Sequence, residues 1–327
     1  MNKNLTRRIA LASLLALGAI GNMGSAQAQA YPSRTIKILV GYSPGGAVDI
    51  IARAIAEQMA AGLGQAVIVE NKPGGGTNIA NKTLIDSPAD GYTLMLAANA
   101  LAANVSLYQP APYDLGRDIT PIAQIGSVPV VLAANAQAAI SSVKDLIAQL
   151  KNKPDSITYG SPGNGSTPHL AIELFAHAAG VRFTHVPYKG GSQAMNDVIA
   201  GHIQTVAVNA LEVLPHAKSG KLKVLAVLSD KRSAIYPDAP TIAESGFPGF
   251  EASVWYGLIA PKGVPAALVS RLHQEVQKAL AAPAVRERLA GAGGEVRPGP
   301  TAQFAKLLDS ERQRYEKLIR EARITPD

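Results

Sequence analysis

Between Val40 and Asp49 the chain reads VGYSPGGAVD. Gly41-Tyr42-Ser43-Pro44-Gly45 fits G-x-S-x-G, the sharp turn that presents a nucleophilic serine above an α/β sheet. The same residues fit a glycine turn that lays backbone N–H groups around an anion at the start of a helix. In the nucleophile elbow, the residue after serine donates its N–H to the oxyanion. Here that residue is Pro44, which has no N–H. Losing one oxyanion donor costs roughly 3 kcal/mol of transition-state stabilisation. The anion cradle is therefore the better reading. Pro44 fixes the turn, and Gly45, Gly46 and Ala47 present N–H groups beside Tyr42 and Ser43. Asp49 then falls in the first helical turn, where an acid bonds the loop backbone. Hydrolysis through Ser43 is the alternative.

Three more glycine turns follow strand-like runs. NKPGGGTN (71–78) contributes Gly75, Gly76, Thr77 and Asn78. GSPGNGSTPH (160–169) contributes Ser161, Gly163, Gly165, Ser166, Thr167 and His169. PYKGGSQ (187–193) contributes Tyr188 and Lys189. Turns at the carboxyl ends of strands are where open α/β sheets bind ligands. Each helix start there offers free N–H donors and partial positive charge. Four such turns facing one another could clamp a dianion at both ends. Lys189 can neutralise a carboxylate or stand solvated; His169 reads as a cap or hinge residue before it reads as a ligand contact. Tyr42 and Trp255-Tyr256 could cover an apolar ligand body, and Trp255 could equally pack the core. No turn is a phosphate-binding P-loop or a dinucleotide fingerprint. The six histidines show no i,i+4 pair and have no cysteine partner, so neither a metal nor a cofactor is expected.

The turns need strands and helices to hold them. TIKILV (35–40), AVIVE (66–70) and YTLMLA (92–97) read as strands separated by helices over 47–61 and 79–85. That βαβαβ order implies a parallel sheet with right-handed crossovers. A second α/β unit starts near GSVPVVLAAN (126–135). It continues through strands at 156–160, FTHVPY, 203–208 and 223–228, with helices between them. Ser142-x-x-Asp145 opens one helix, and Ser166 or Thr167 with Pro168 opens another. SVWYGLIAP (253–261) is a further strand, followed by two amphipathic C-terminal helices. Helices after a completed second unit most simply pack back on the first. The fold class is thus α/β with two lobes, each a mostly parallel sheet flanked by helices. Domain 1 is discontinuous (31–126 and 252–327), domain 2 is 127–251, and two crossings make a hinged cleft.

The first thirty residues hold Lys3, Arg7, Arg8, a short apolar run and Ala-x-Ala sites, the pattern of a cleaved export signal. Excluding them leaves 297 residues, enough to bury about three quarters of the unfolded surface without the disulfides that a cysteine-free chain lacks. The formal charge of +7 falls to +4 without the leader, and no basic run or aromatic-rich stretch suggests nucleic acid. No later run suits a membrane span, so the mature chain is expected to be soluble; a monomer is expected as well.

Taken together, YPSRTIKILVGYSPGGAVDIIAR, GQAVIVENKPGGGTNIA, DGYTLML, YGSPGNGSTPHLAIELF, HVPYKGGSQAMNDVIAGHIQ, LPHAKSGKLKVLAV and WYGLIAPKGVP resemble the tripartite tricarboxylate transporter substrate-binding family, the Bug receptors. The resemblance implies a periplasmic-binding-protein clamshell. It would be a non-enzymatic receptor that takes a small di- or tricarboxylate to a membrane transporter, or alternatively signals through a sensor kinase. It implies that ligand carboxylates meet backbone groups and waters at Tyr42–Ala47 and Gly74–Asn78, with Ser161–Thr167 closing on the other end. Two departures stand out. Thr77 replaces a glycine that the family often has, which narrows the pocket. Val208-Asn209 stands where many members carry an acid, which removes a partner for a ligand ammonium and favours a carboxylate without an amine.

Overall fold

The computed structural model describes residues 31–326, so the leader at 1–30 lies outside the described residues. From Arg34 onward the described residues form one compact unit. β1 (Ile36–Val40) is apolar except for Lys37 and is buried on both faces, as parallel central strands are. α1 (Ala47–Leu63) buries Ile51, Ile55, Met59 and Leu63 along one side and stops at Gly64, whose φ of 66° suits a left-handed cap. β2 (Val67–Asn71), a 3₁₀ turn (Gly75–Thr77), α2 (Asn78–Ile85), β3 (Thr93–Ala98), α3 (Ala100–Leu107) and the single turn α4 (Leu115–Asp118) follow. Then come β4 (Ile119–Asn135), α5 (Val143–Asn152), β5 (Thr158–Ser161), α6 (Thr167–Ala179), β6 (Thr184–Pro187), α7 (Gly191–Ala200), β7 (Thr205–Asn209), α8 (Ala210–Lys218) and β8 (Leu222–Val227). β9 (Ser253–Pro261), α9 (Ala266–Ala281), α10 (Pro283–Ala290), β10 (Glu295–Val296) and α11 (Thr301–Ala322) complete the chain.

The main sheet runs β2-β1-β3-β9-β4-β7-β5-β6, with β8 and β10 also paired to β4. β1 is parallel to β2 and β3, and β5 is parallel to β6 and β7. These are the crossover units that the alternating pattern predicts. β9 and β4 are antiparallel to each other and to their outer neighbours. Residues 126 and 127 lie inside β4 rather than in a linker. Its first part pairs with β9 from Ile119 to Pro129, and its last residues pair with β7 and β8. Register shifts after Pro121 and Gln124 bend the strand. Pro121 and Gly126 hide the start of β4 from a sequence reading, because neither residue favours a strand interior.

One core gathers Leu39, Met95, Leu101, Trp255, Ile259, Phe304, Leu308 and Tyr315, seating α11 against α3, β3 and β9. A second gathers Val131, Met195, Val198, Val206, Val213 and Val227 around the far end of β4. Burying each such side chain contributes about 1.5–3 kcal/mol. Trp255 is a packing residue: its ring meets Phe304 edge-on at 5.7 Å, and its indole N–H donates to Glu311 Oε2 at 3.1 Å. Among the described residues no helix is long and apolar enough to cross a membrane.

Candidate functional site

The first glycine turn joins β1 to α1. Ser43 faces the fourth turn: its N–H donates to the Lys189 carbonyl at 2.8 Å and its hydroxyl to the same oxygen at 3.1 Å. Ser192 Oγ donates to the Pro44 carbonyl at 3.0 Å. The Gly45 N–H donates to Asp49 Oδ2 at 3.0 Å. Asp49 is buried and also accepts from Arg53 and Asn71. Burial alone would raise its carboxyl, but the hydrogen bonds from Arg53, Gly45 and Asn71 outweigh it and hold it below its ordinary value. Asp49 therefore has the loop-bracing role expected of a first-turn acid.

The Ala47 N–H donates to Glu212 Oε1 at 3.0 Å. Glu212 sits three residues into α8, behind the N-cap Asn209, in a capping box: the Asn209 N–H donates to Glu212 Oε2 at 3.1 Å. Burial pushes the Glu212 carboxyl up to about 6, against the pull of the Ala47 and Asn209 amides. Among the described residues no lysine, arginine or histidine forms an ion pair with it. The Tyr256 hydroxyl donates to Asn209 Oδ1 at 3.1 Å. Glu212, Asn209, Tyr42, Gly46, Ala47 and Thr167 are among the residues lining an inner cavity of about 20 Å³, room for little more than a water. The sequence reading took the acid partner for a ligand ammonium to be lost at Val208-Asn209. Val208 and Asn209 are not acidic, but the turn of α8 brings Glu212 to the cavity three residues later.

Beside it opens a groove of about 340 Å³ to which all four glycine turns contribute: Tyr42 from the first, Gly74–Thr77 from the second, Pro162–Asn164 from the third, and Pro187–Lys189 from the fourth. Tyr42 and Pro162 border both spaces. Gly74, Gly75, Gly76 and Thr77 all have positive φ. A Cβ on Gly76 would lie 2.6 Å from the Tyr108 hydroxyl and 2.7 Å from the Asn164 carbonyl, so only glycine fits there. Asn104 ties the turn down, with Nδ2 donating to the Gly76 carbonyl at 2.6 Å and to Asn78 Oδ1 at 2.9 Å. Thr77 packs its Cβ over Gly41, and its hydroxyl accepts from Asn81 at 3.3 Å.

The third turn is braced from within. Ser161 is fully buried; its Oγ accepts from the Gly163 N–H at 3.1 Å and meets His185 Nε2 at 2.7 Å. Tyr159, His185 and His169 stack at 4.6 and 4.4 Å. His169 Nδ1 accepts from the Gly165 N–H at 3.2 Å. Burial, then the neighbouring His185, push the His169 pKa down to about 3. Ser166 is the N-cap of α6, with Oγ accepting from the His169 N–H at 3.4 Å. Thr167 is buried, and among the described residues its Oγ1 has no hydrogen-bond partner. The Tyr188 hydroxyl donates to Asp197 Oδ2 at 2.6 Å.

The sequence-predicted residues thus divide three ways. Tyr42, Gly46, Ala47, Ser166, Thr167 and Asn209 line the inner cavity. Tyr42, Gly75, Gly76, Thr77, Gly163, Tyr188 and Lys189 line the outer groove. Ser43, Gly45, Asn78, Ser161, Gly165 and His169 line neither and instead fix the turns. Sequence reasoning missed Glu212, Gly191 and Val254 in the cavity and Tyr108 and Asn164 in the groove. The one available signal was Asn209-Ala-Leu-Glu212, a capping box ahead of the LPH stretch.

The family described as the tripartite tricarboxylate transporter family receptor matches residues 51–324. The chain belongs to that receptor family. The receptor is 35% identical to protein BugT of Bordetella pertussis over 320 residues, which cover 97% of this chain and 98% of that one. Its fold superposes on the Rhodopseudomonas palustris protein Rpa4515 solved with adipate, with a TM-score of 0.86, 33% identity, and 91% and 100% of the two chains covered. It superposes equally on MatC from Rhodopseudomonas palustris with bound malate, with a TM-score of 0.85, 30% identity, and 88% and 100% covered. The receptor has the periplasmic-binding-protein fold and is a solute-binding protein, not an enzyme. The Ser43 hydroxyl, spent on a backbone carbonyl, accords with that.

Proposed function

We propose that the receptor binds a small organic carboxylate in the groove between its glycine turns and passes it to a membrane transporter of the tripartite tricarboxylate type. The observation that carries this reading is the convergence of all four turns on one groove, with Lys189 at its edge. A run of positive-φ residues such as Gly74–Thr77 can turn backbone N–H groups toward an anion, and the lysine supplies the opposite charge. The adipate- and malate-bound relatives support the same ligand class.

The lobes in this reading are 31–126 with 252–327, and 127–251. Ser43–Lys189, Ser192–Pro44 and Ala47–Glu212 join turns from one to turns from the other. A ligand touching both sides favours this closed arrangement, which is the form a transporter would recognise. The export-type leader supports a periplasmic location, and this reading takes the receptor to act there as a monomer.

Thermal unfolding of ligand-free protein against a panel of mono-, di- and tricarboxylates tests the reading. A ligand at a hundred times its Kd stabilises by about 2.7 kcal/mol and raises Tm measurably. No shift with any member of the panel contradicts it.

A further inference from the structure

We propose that Glu212 sets the ligand class of this cleft: the inner cavity takes a hydrogen-bond donor, an ammonium or hydroxyl, and the outer groove takes a single carboxylate. This rests on the receptor reading above and sharpens it. The start of α1 is the seat a ligand carboxylate would be expected to use, and Glu212 Oε1 already occupies it, 3.0 Å from the Ala47 nitrogen. A second carboxylate brought there would face a like charge, and one of the two would have to take up a proton.

Among the described residues Glu212 also has no cation paired with it. The titratable groups facing it are the phenols of Tyr42 and Tyr256, and its polar partners are the Ala47 and Asn209 amides and, at 3.5 Å, Asn209 Nδ2. A carboxylate accepts about four hydrogen bonds, so capacity remains. A half-buried charge without a counter-charge is costly, and a donor brought in by ligand relieves it. Size points the same way. The cavity of about 20 Å³ suits a group as small as water, such as an ammonium or hydroxyl, better than a carboxylate. The groove of about 340 Å³ has the room, the Gly75 and Gly76 turn and the Lys189 cation. A ligand that passes Tyr42 and Pro162 reaches both spaces.

Calorimetry on ligand-free protein, with succinate set against γ-aminobutyrate and adipate set against ε-aminocaproate, tests this. Wild type is expected to prefer each amino acid to the dicarboxylate of its length by about tenfold or more. Glu212→Gln is expected to lose that preference and gain affinity for the dicarboxylates. Equal or tighter dicarboxylate binding by wild type overturns the proposal by itself, whether or not the variant folds. So does a folded Glu212→Gln that keeps the wild-type ratio. If none of the four binds wild type, this inference fails, while the carboxylate-receptor reading stands or falls with the wider panel of mono-, di- and tricarboxylates.

Discussion

The Ala47 amide donates to Glu212 Oε1 at 3.0 Å across 165 residues of chain. A helix start attracts negative charge from whatever source is nearest. In this receptor the first glycine turn is served by the chain's own acids, with Asp49 on Gly45 and Glu212 on Ala47. Open space for a ligand lies instead toward Gly74–Thr77 and Lys189.

Glu212 should give stability a pH signature. Its folded-state pKa of about 6 exceeds its ordinary value of 4.5. Its contribution is therefore fully present below the ordinary value and is lost as pH rises through about 6. Urea unfolding of wild type and Glu212→Gln across this window should show wild type losing ground to the variant as pH rises, with no further change well above 6. A constant difference would mean that the carboxyl is solvated.

His169 should act in the opposite sense. Its pKa is depressed from 6.5 to about 3, so its stabilising neutral form is fully effective above the ordinary value and its contribution is lost as pH falls toward about 3. The group facing it is the stacked His185. His169→Asn offers an acceptor near the place of Nδ1 for the Gly165 N–H and does not titrate. Wild type should lose stability relative to this variant on acidification. By NMR, the His169 ring protons should not titrate between about pH 8 and 5; a normal titration there would contradict the burial.

Much of this fold is legible in the sequence. SVWYGLIAP bounds β9 to the residue, and Ser142 caps α5 by accepting from the Asp145 N–H, because both signals are local. α3 is not legible: ALAANVSL is buried on nearly every side, so it has no amphipathic period to read. The site divides likewise. Glycine turns announce themselves, as Gly74–Gly76 do. Glu212 announces only a helix cap, because its second role depends on Ala47, which no local pattern connects to it.

The three glycine-turn substitutions should rank by what each one displaces. Ser43→Ala removes one hydroxyl bond while the Ser43 N–H still holds Lys189, so it should cost about 1 kcal/mol. Gly46 has an ordinary φ of −79°, but a Cβ there would lie 3.0 Å from Glu212 Oε1. Gly46→Val should therefore fold and weaken ligand binding more than Ser43→Ala. Gly76→Ala combines a φ of 58° with contacts of 2.6 and 2.7 Å, and should cost about 1–3 kcal/mol in stability as well as binding. Calorimetry and urea unfolding of the three variants check the order; Ser43→Ala emerging as the worst binder would contradict it.

The most direct test is a calorimetric titration of ligand-free receptor with carboxylates, wild type beside Gly76→Ala. The account predicts saturable binding of at least one carboxylate at a single site per chain, weakened severalfold or more by the alanine. Absence of binding by every carboxylate, or binding untouched by the change at Gly76, would contradict a ligand site built from these turns.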